Sequence, residues 1–180
     1  LLIILSFLII ITIAIVLSIT IKTQQLSYPN PAENLEECQT LIYSSPDAIN
    51  VVFFSEKSEA QTYSNYLSEI KPFSKENLNI YYIPNYIPEC EIYKEIAVLC
   101  YSKELVKKAS SCPNDYLIVL KEEPSSIRSS AYMNVLSLNT RHPKSVYPHE
   151  IAHALANLAE EYIPATLPSG QKNCVSSCGN

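Results

Sequence analysis

Tyr147-Pro148-His149-Glu150-Ile151-Ala152-His153-Ala154-Leu155-Ala156-Asn157-Leu158-Ala159-Glu160-Glu161-Tyr162 is the stretch on which the reading of this chain turns. It holds His149-Glu150-x-x-His153, the spacing that zinc-dependent hydrolases place on a helix. At about 100° per residue, His149 and His153 stand one turn apart on one face, where two imidazole nitrogens can share a cation. Glu150 falls off that line, placed to take a proton from a water activated by the cation rather than to ligate it. Ile151, Ala154, Leu155 and Leu158 cluster opposite the histidines, so one face can bury while the other works. The chain has three His in all. Two of them at this spacing, with Glu directly after the first, argue against a surface helix carrying idle imidazoles.

A catalytic zinc usually takes three protein ligands and leaves one position open. Glu160 lies eleven residues after His149, within about 20° of the same helical face. On an unbroken helix it would still stand roughly 10 Å along the axis from His153, too far to share a metal held at about 2 Å. A third ligand from this stretch therefore requires the helix to stop near Ala156 and the chain to turn back. Asn157 is the residue best able to take the left-handed conformation such a turn needs without Gly. After it, either Glu160 or Glu161 can face the metal, the other holding a supporting hydrogen bond or pairing with a base such as Arg128.

The motif and its continuation, Leu158-Ala159-Glu160-Glu161-Tyr162, resemble the immunoglobulin A peptidase-like family of zinc metallopeptidases. That family reads His-Glu-x-Gly-His and then Leu-Ala-Asp-Glu-Tyr. Ala152 stands where the family has Gly, and Glu160 where it has Asp. The likeness runs from about Val51 to Cys178, with its specific part between Ala131 and Tyr162. It implies a Zn2+-dependent peptidase, an endopeptidase rather than an exopeptidase, acting on polypeptide substrates. It also implies His149, His153 and Glu160 as metal ligands (Glu161 as the alternative) and Glu150 as the catalytic base. Ala156 and Ala159 depart from the longer metzincin motif, which has Gly and a third His there. Met133, the one methionine, lies upstream of the helix rather than in a downstream turn.

Outward from the motif, 180 residues at 47% hydrophobic and 17% charged indicate an ordered chain with room for one domain. A net charge of −5 argues against nucleic acid as a partner. Leu1 to Ile21 is apolar and uncharged, long enough for a transmembrane anchor over residues 1–22, since roughly 20 helical residues cross a hydrocarbon core. Residues 23–45 read as a stalk, and 46–180 as the peptidase-like domain. The chain starts on Leu and carries 27 residues beyond His153, so some missing sequence is expected. Cys38, Cys90, Cys100, Cys112, Cys174 and Cys178 form an even set without Cys-x-x-Cys spacing. They indicate disulfides, and hence a domain on the extracytoplasmic side of the cell membrane.

Ile49–Phe54, Leu78–Ile83 and Tyr116–Leu120 read as buried strands. Ser55 is placed to cap a helix over 56–70 that Pro72 ends. Residues 89–109 read as helix in pieces, with Ile92, Ile96, Leu99 and Val106 as a buried stripe. Residues 131–138 read as one strand, its polar Asn134, Ser137 and the following Asn139 and its place before the motif helix suiting an edge position. In zincin peptidases such a strand borders the cleft and pairs with an extended substrate. The expected fold is α+β: a zincin/metzincin-like catalytic domain with a mixed twisted sheet and an active-site helix, preceded by one transmembrane helix. His142, Arg128 and Tyr162 receive no role. The alternative reading is a non-catalytic, membrane-tethered zinc-binding or adhesion domain; an intact Glu150 speaks against it.

Overall fold

Val51-Val52-Phe53-Phe54 is apolar at every position because both of its faces are covered. The computed structural model describes residues 38–158. In it the strands β1 (Gln39–Ile42), β2 (Ile49–Phe54), β3 (Leu78–Tyr82), β6 (Tyr116–Lys121), β7 (Ser130–Tyr132) and β8 (Val135–Asn139) form one sheet. Their order is β1-β3-β2-β6-β8-β7. The inner four strands are parallel to their neighbours, while β1 and β7 run antiparallel at the two edges. A parallel sheet needs a layer on each face, and its strands then lose the polar alternation of a half-exposed sheet.

The two layers follow from the alternation of side chains. Val51 and Phe53 join Ile80, Ile118, Leu136 and Leu138 on one face. There they meet Ala60 and Leu67 of α1 (Lys57–Ser68) and Tyr147 and Ile151 of α3 (Val146–Ala156). Val52 and Phe54 join Tyr81, Leu117, Val119 and Val135 on the other face. That face is closed by Leu105 and Ala109 of α2 (Lys103–Ala109), and by Val98 and Cys100 of a hairpin made of β4 (Glu91–Tyr93) and β5 (Ala97–Leu99).

Several expectations require correction. The helix expected over 56–70 runs Lys57–Ser68, and Glu56 rather than Ser55 stands at its N-cap, without a side-chain capping bond. The first part of 89–109 is the β4–β5 hairpin, which turns through Lys94 and Glu95 at φ 49° and 60°. Ile92 and Ile96 are consequently 37% and 47% exposed, and the buried positions are Val98 and Cys100, two apart. The 3.6-residue spacing there was a coincidence that the Cys90–Cys100 disulfide overrides by closing the hairpin at its base. Only Lys103–Ala109 is helical, begun by Ser102, whose hydroxyl accepts from Leu105 N at 3.0 Å.

The strand expected over 131–138 is two strands, β7 and β8, reversed at Met133 (φ 54°) with Ser130 opposite Ser137. β8 lies inside the sheet and β7 is the edge. The stalk expected over 23–45 enters the sheet at Gln39 as β1, and Cys38 is joined to Cys112.

The described residues therefore make a mostly-sheet domain with three helices and two disulfides. This corrects the expected zincin/metzincin-like α+β domain led by a transmembrane helix. Segments read as stalk, helix and a single strand all contribute strands instead. Among the described residues no helix is long and apolar enough to cross a membrane. The anchor expected over residues 1–22 lies outside the described residues, as do Cys174 and Cys178.

The Cys38–Cys112 link spans 74 residues and Cys90–Cys100 spans 10. Loop-closure entropy makes the first worth about 4 kcal/mol and the second about 3 kcal/mol. Urea unfolding of Cys38→Ala/Cys112→Ala and Cys90→Ala/Cys100→Ala double variants should show the larger loss for the first pair.

Candidate metal centre

The helix that carries the histidines is aimed by what precedes it. β8 ends at Asn139, a polar residue only 2% exposed. Its carboxamide is fully used: Oδ1 accepts from Glu123 N and Arg141 N, both at 3.1 Å. Nδ2 donates to Pro124 O at 3.0 Å and Ile127 O at 2.7 Å. One side chain thus holds the 123–127 loop against the segment that leads into α3. Ser137 is buried for a similar reason, its hydroxyl accepting from Cys100 N at 2.9 Å. Their polarity suggested a solvated edge; both are instead polar groups whose burial is compensated by hydrogen bonds.

α3 begins at Val146 with no side-chain cap on Ser145. Pro148 falls in the first turn, where a backbone N–H has no helical partner to lose. Tyr147 drops into the core, with its ring edge-on to Phe53 and Tyr63 at 6.1 Å from each. Its hydroxyl is buried and finds no hydrogen-bond partner among the described residues. Burial raises the Tyr147 pKa far above the ordinary phenol value. Ile151 is buried one turn later, and Ala154 and Leu155 pack against the same cluster. Two residues on from each buried anchor, roughly 200° around the helix, come His149 and His153, both half-buried.

The two imidazoles converge. His149 Nε2 and His153 Nε2 lie 3.1 Å apart, with ring planes at 82°. Two nitrogens each about 2.0–2.1 Å from a tetrahedral zinc are roughly 3.3 Å apart, so this pair fits a shared cation closely. His153 Nδ1 lies 3.1 Å from Leu158 O. A carbonyl oxygen only accepts, so Nδ1 carries a proton, and a ring holding that one proton presents its lone pair at Nε2, toward His149. Glu150, between the two histidines in sequence, is 5% exposed.

α3 ends at Ala156, and Asn157 takes φ 51° and ψ 50°, the left-handed conformation expected of it. Glu160 and Glu161, the expected third ligands, lie outside the described residues, as does Tyr162. Among the described residues no group of three His, Cys, Asp or Glu side chains is assembled for a metal. His142 is engaged elsewhere, its Nε2 donating to Ser125 O at 2.9 Å. Arg128 holds the β4–β5 hairpin through its main chain, donating to Ile96 O at 2.8 Å and accepting from Val98 N at 3.0 Å. α3 packs on both β7 and β8. Between the edge strand β7 and the hairpin runs a groove of ≈ 490 Å³, lined by Tyr93, Ala97, Leu99, Ala131 and Tyr132 with Glu91 and Ser130. Sequence reasoning missed Asn139 and the carbonyl of Leu158. A lone Asn closing an apolar strand was a signal for the first; a backbone acceptor leaves no signal of its own.

No family model matches the chain, and no curated protein matches it in sequence.

Asn139→Ala removes the partner of four part-buried backbone groups at once, and should cost about 2 kcal/mol in denaturant unfolding while exposing the 123–127 loop to protease. Tyr147→Phe should leave stability at pH 7 unchanged or raise it by up to about 1 kcal/mol, because it removes a hydroxyl lacking a described partner. Above pH about 10 the unfolded Tyr147 ionises while the folded one keeps its proton, so wild-type stability falls as pH rises. The phenylalanine variant should show a shallower fall between pH 9 and 11 in urea melts. Tyr63, Tyr81 and Tyr116, also raised chiefly by burial, maintain part of the slope.

Proposed function

We propose that this chain is an extracytoplasmic zinc-dependent peptidase that hydrolyses peptide bonds with Glu150 as general base. The observation that carries the reading is the pair of Nε2 atoms 3.1 Å apart, presented by a helix whose intervening residue is a nearly buried carboxylate. A structural pair of histidines has no use for that carboxylate. His149 and His153 would hold the metal through Nε2, and Glu160, with Glu161 as the alternative, would complete the set. Bound there, zinc would supply a Lewis acid able to polarise the scissile carbonyl and acidify water. Glu150 takes the proton from the attacking water and returns it to the amide nitrogen as the C–N bond breaks. The resemblance to immunoglobulin A peptidase-like enzymes, carried by residues 131–162, supports the same chemistry.

The substrate in this reading is an extended polypeptide. Its support is the edge strand β7, which packs beside α3. The two disulfides support a compartment outside the cytoplasm. The uncharged composition of Leu1 to Ile21 supports attachment to the cell membrane.

The test uses the full chain, assayed on casein and a peptide library with and without chelator. Glu150→Gln should retain about one zinc per chain and lose at least about 100-fold in hydrolysis. His153→Ala should lose both zinc and activity. Wild-type turnover in Glu150→Gln, or a wild-type chain that takes up no zinc, would overturn the proposal.

A further inference from the structure

We infer that Asn157 is a positioning residue for the metal centre, acting through the main-chain carbonyl of Leu158 on the ring of His153. The inference rests on the proposed zinc site but has a part that stands without metal. His153 lies in the last turn of α3. Nothing in the spacing of His149 and His153 decides which nitrogen of His153 faces its partner. What decides it is the bond from Nδ1 to Leu158 O, at 3.1 Å and five residues along the chain.

That bond is not one a continuing helix can make. On a straight helix, carbonyl oxygens point toward the C-terminus, away from a side chain one turn earlier. Leu158 O reaches His153 because the helix breaks directly before it. Asn157 adopts φ 51° and ψ 50°, reversing the chain so that the next carbonyl returns to the helix flank. Asn is the non-glycine residue that tolerates this region best, whereas a β-branched residue there is strongly disfavoured. The same geometry orients the ring, leaves Nδ1 as the donor and directs the Nε2 lone pair to His149 Nε2 at 3.1 Å. Asn157 itself is exposed and is not a ligand. Its contribution is the backbone angle, which makes Leu158 O the outer partner that metal-binding histidines usually have.

The experiment compares wild type, Asn157→Gly and Asn157→Val in the full chain. Gly adopts the left-handed conformation freely and should behave as wild type; Val should not. The first readout is the ¹⁵N chemical shifts of His153 in metal-free protein, which report the tautomer. Wild type and Asn157→Gly should show a single form with the proton on Nδ1, and Asn157→Val a mixture of both forms. The second readout is zinc affinity by chelator competition: Asn157→Gly should fall within about threefold of wild type, and Asn157→Val at least about tenfold weaker. Backbone amide spectra of β2, β6 and β8 establish that the valine variant remains folded. An unchanged His153 tautomer in folded Asn157→Val, or wild-type zinc affinity in that variant, would overturn the inference. So would an equal loss in Asn157→Gly. A wild-type chain that holds the Nδ1 proton but binds no zinc would sink the peptidase reading and leave the orientation of His153 by Leu158 standing.

Discussion

Four parallel strands, β3-β2-β6-β8, set the condition that everything else in this domain meets. Such a sheet must be dry on both faces, and the inner side chains of β2 and β8 are buried accordingly. One face is covered by α1 and α3, the other by α2 and the β4–β5 hairpin. The placement of α3 follows from that demand more than from any helical preference of its own. Its sequence has Pro148 in the first turn and no capping side chain, so it is held by Tyr147 and Ile151 entering the sheet's core. Helices of this length owe most of their stability to such packing. The histidines are consequently located by residues that do no chemistry.

A second dependence runs through buried polar groups. Asn139 and Ser137 sit on a strand otherwise made of Val135, Leu136 and Leu138. Each satisfies main-chain groups of loops that have no strand to pair with. Asn139 serves the loop before β7 and the turn into α3; Ser137 serves the end of the hairpin. The two polar residues on β8 thus tie irregular segments to the sheet, and one of those segments leads into the helix that carries the histidines.

Legibility in the sequence followed the strength of the local pattern. Ile49–Phe54 and Tyr116–Leu120 were readable because fully buried parallel strands are uninterrupted apolar runs. The motif helix and the break at Asn157 were readable because ligand spacing and helical rise leave little choice. The hairpin at 91–99 was not, since Ile92, Ile96 and Leu99 mimic a helical stripe and the decisive cross-link joins two cysteines whose pairing spacing does not reveal. Residues 130–139 misled in another way. Polar side chains in a strand ordinarily mean solvent, and only the tertiary partners of Ser137 and Asn139 show otherwise. β1 was invisible because Gln39–Ile42 has too short a pattern to outweigh the proline-rich stretch before it.

The Cys38–Cys112 bond also has a mechanical meaning. β1 is an edge strand, held to the sheet along one side alone, and a strand in that position peels away one hydrogen bond at a time when its end is pulled. Cys38 immediately precedes it. Tension arriving along the chain from the N-terminal side is therefore diverted at Cys38 across sulfur to Cys112, at the approach to the central strand β6. The load bypasses β1, and that edge of the sheet is shielded from a pull on the chain that precedes it.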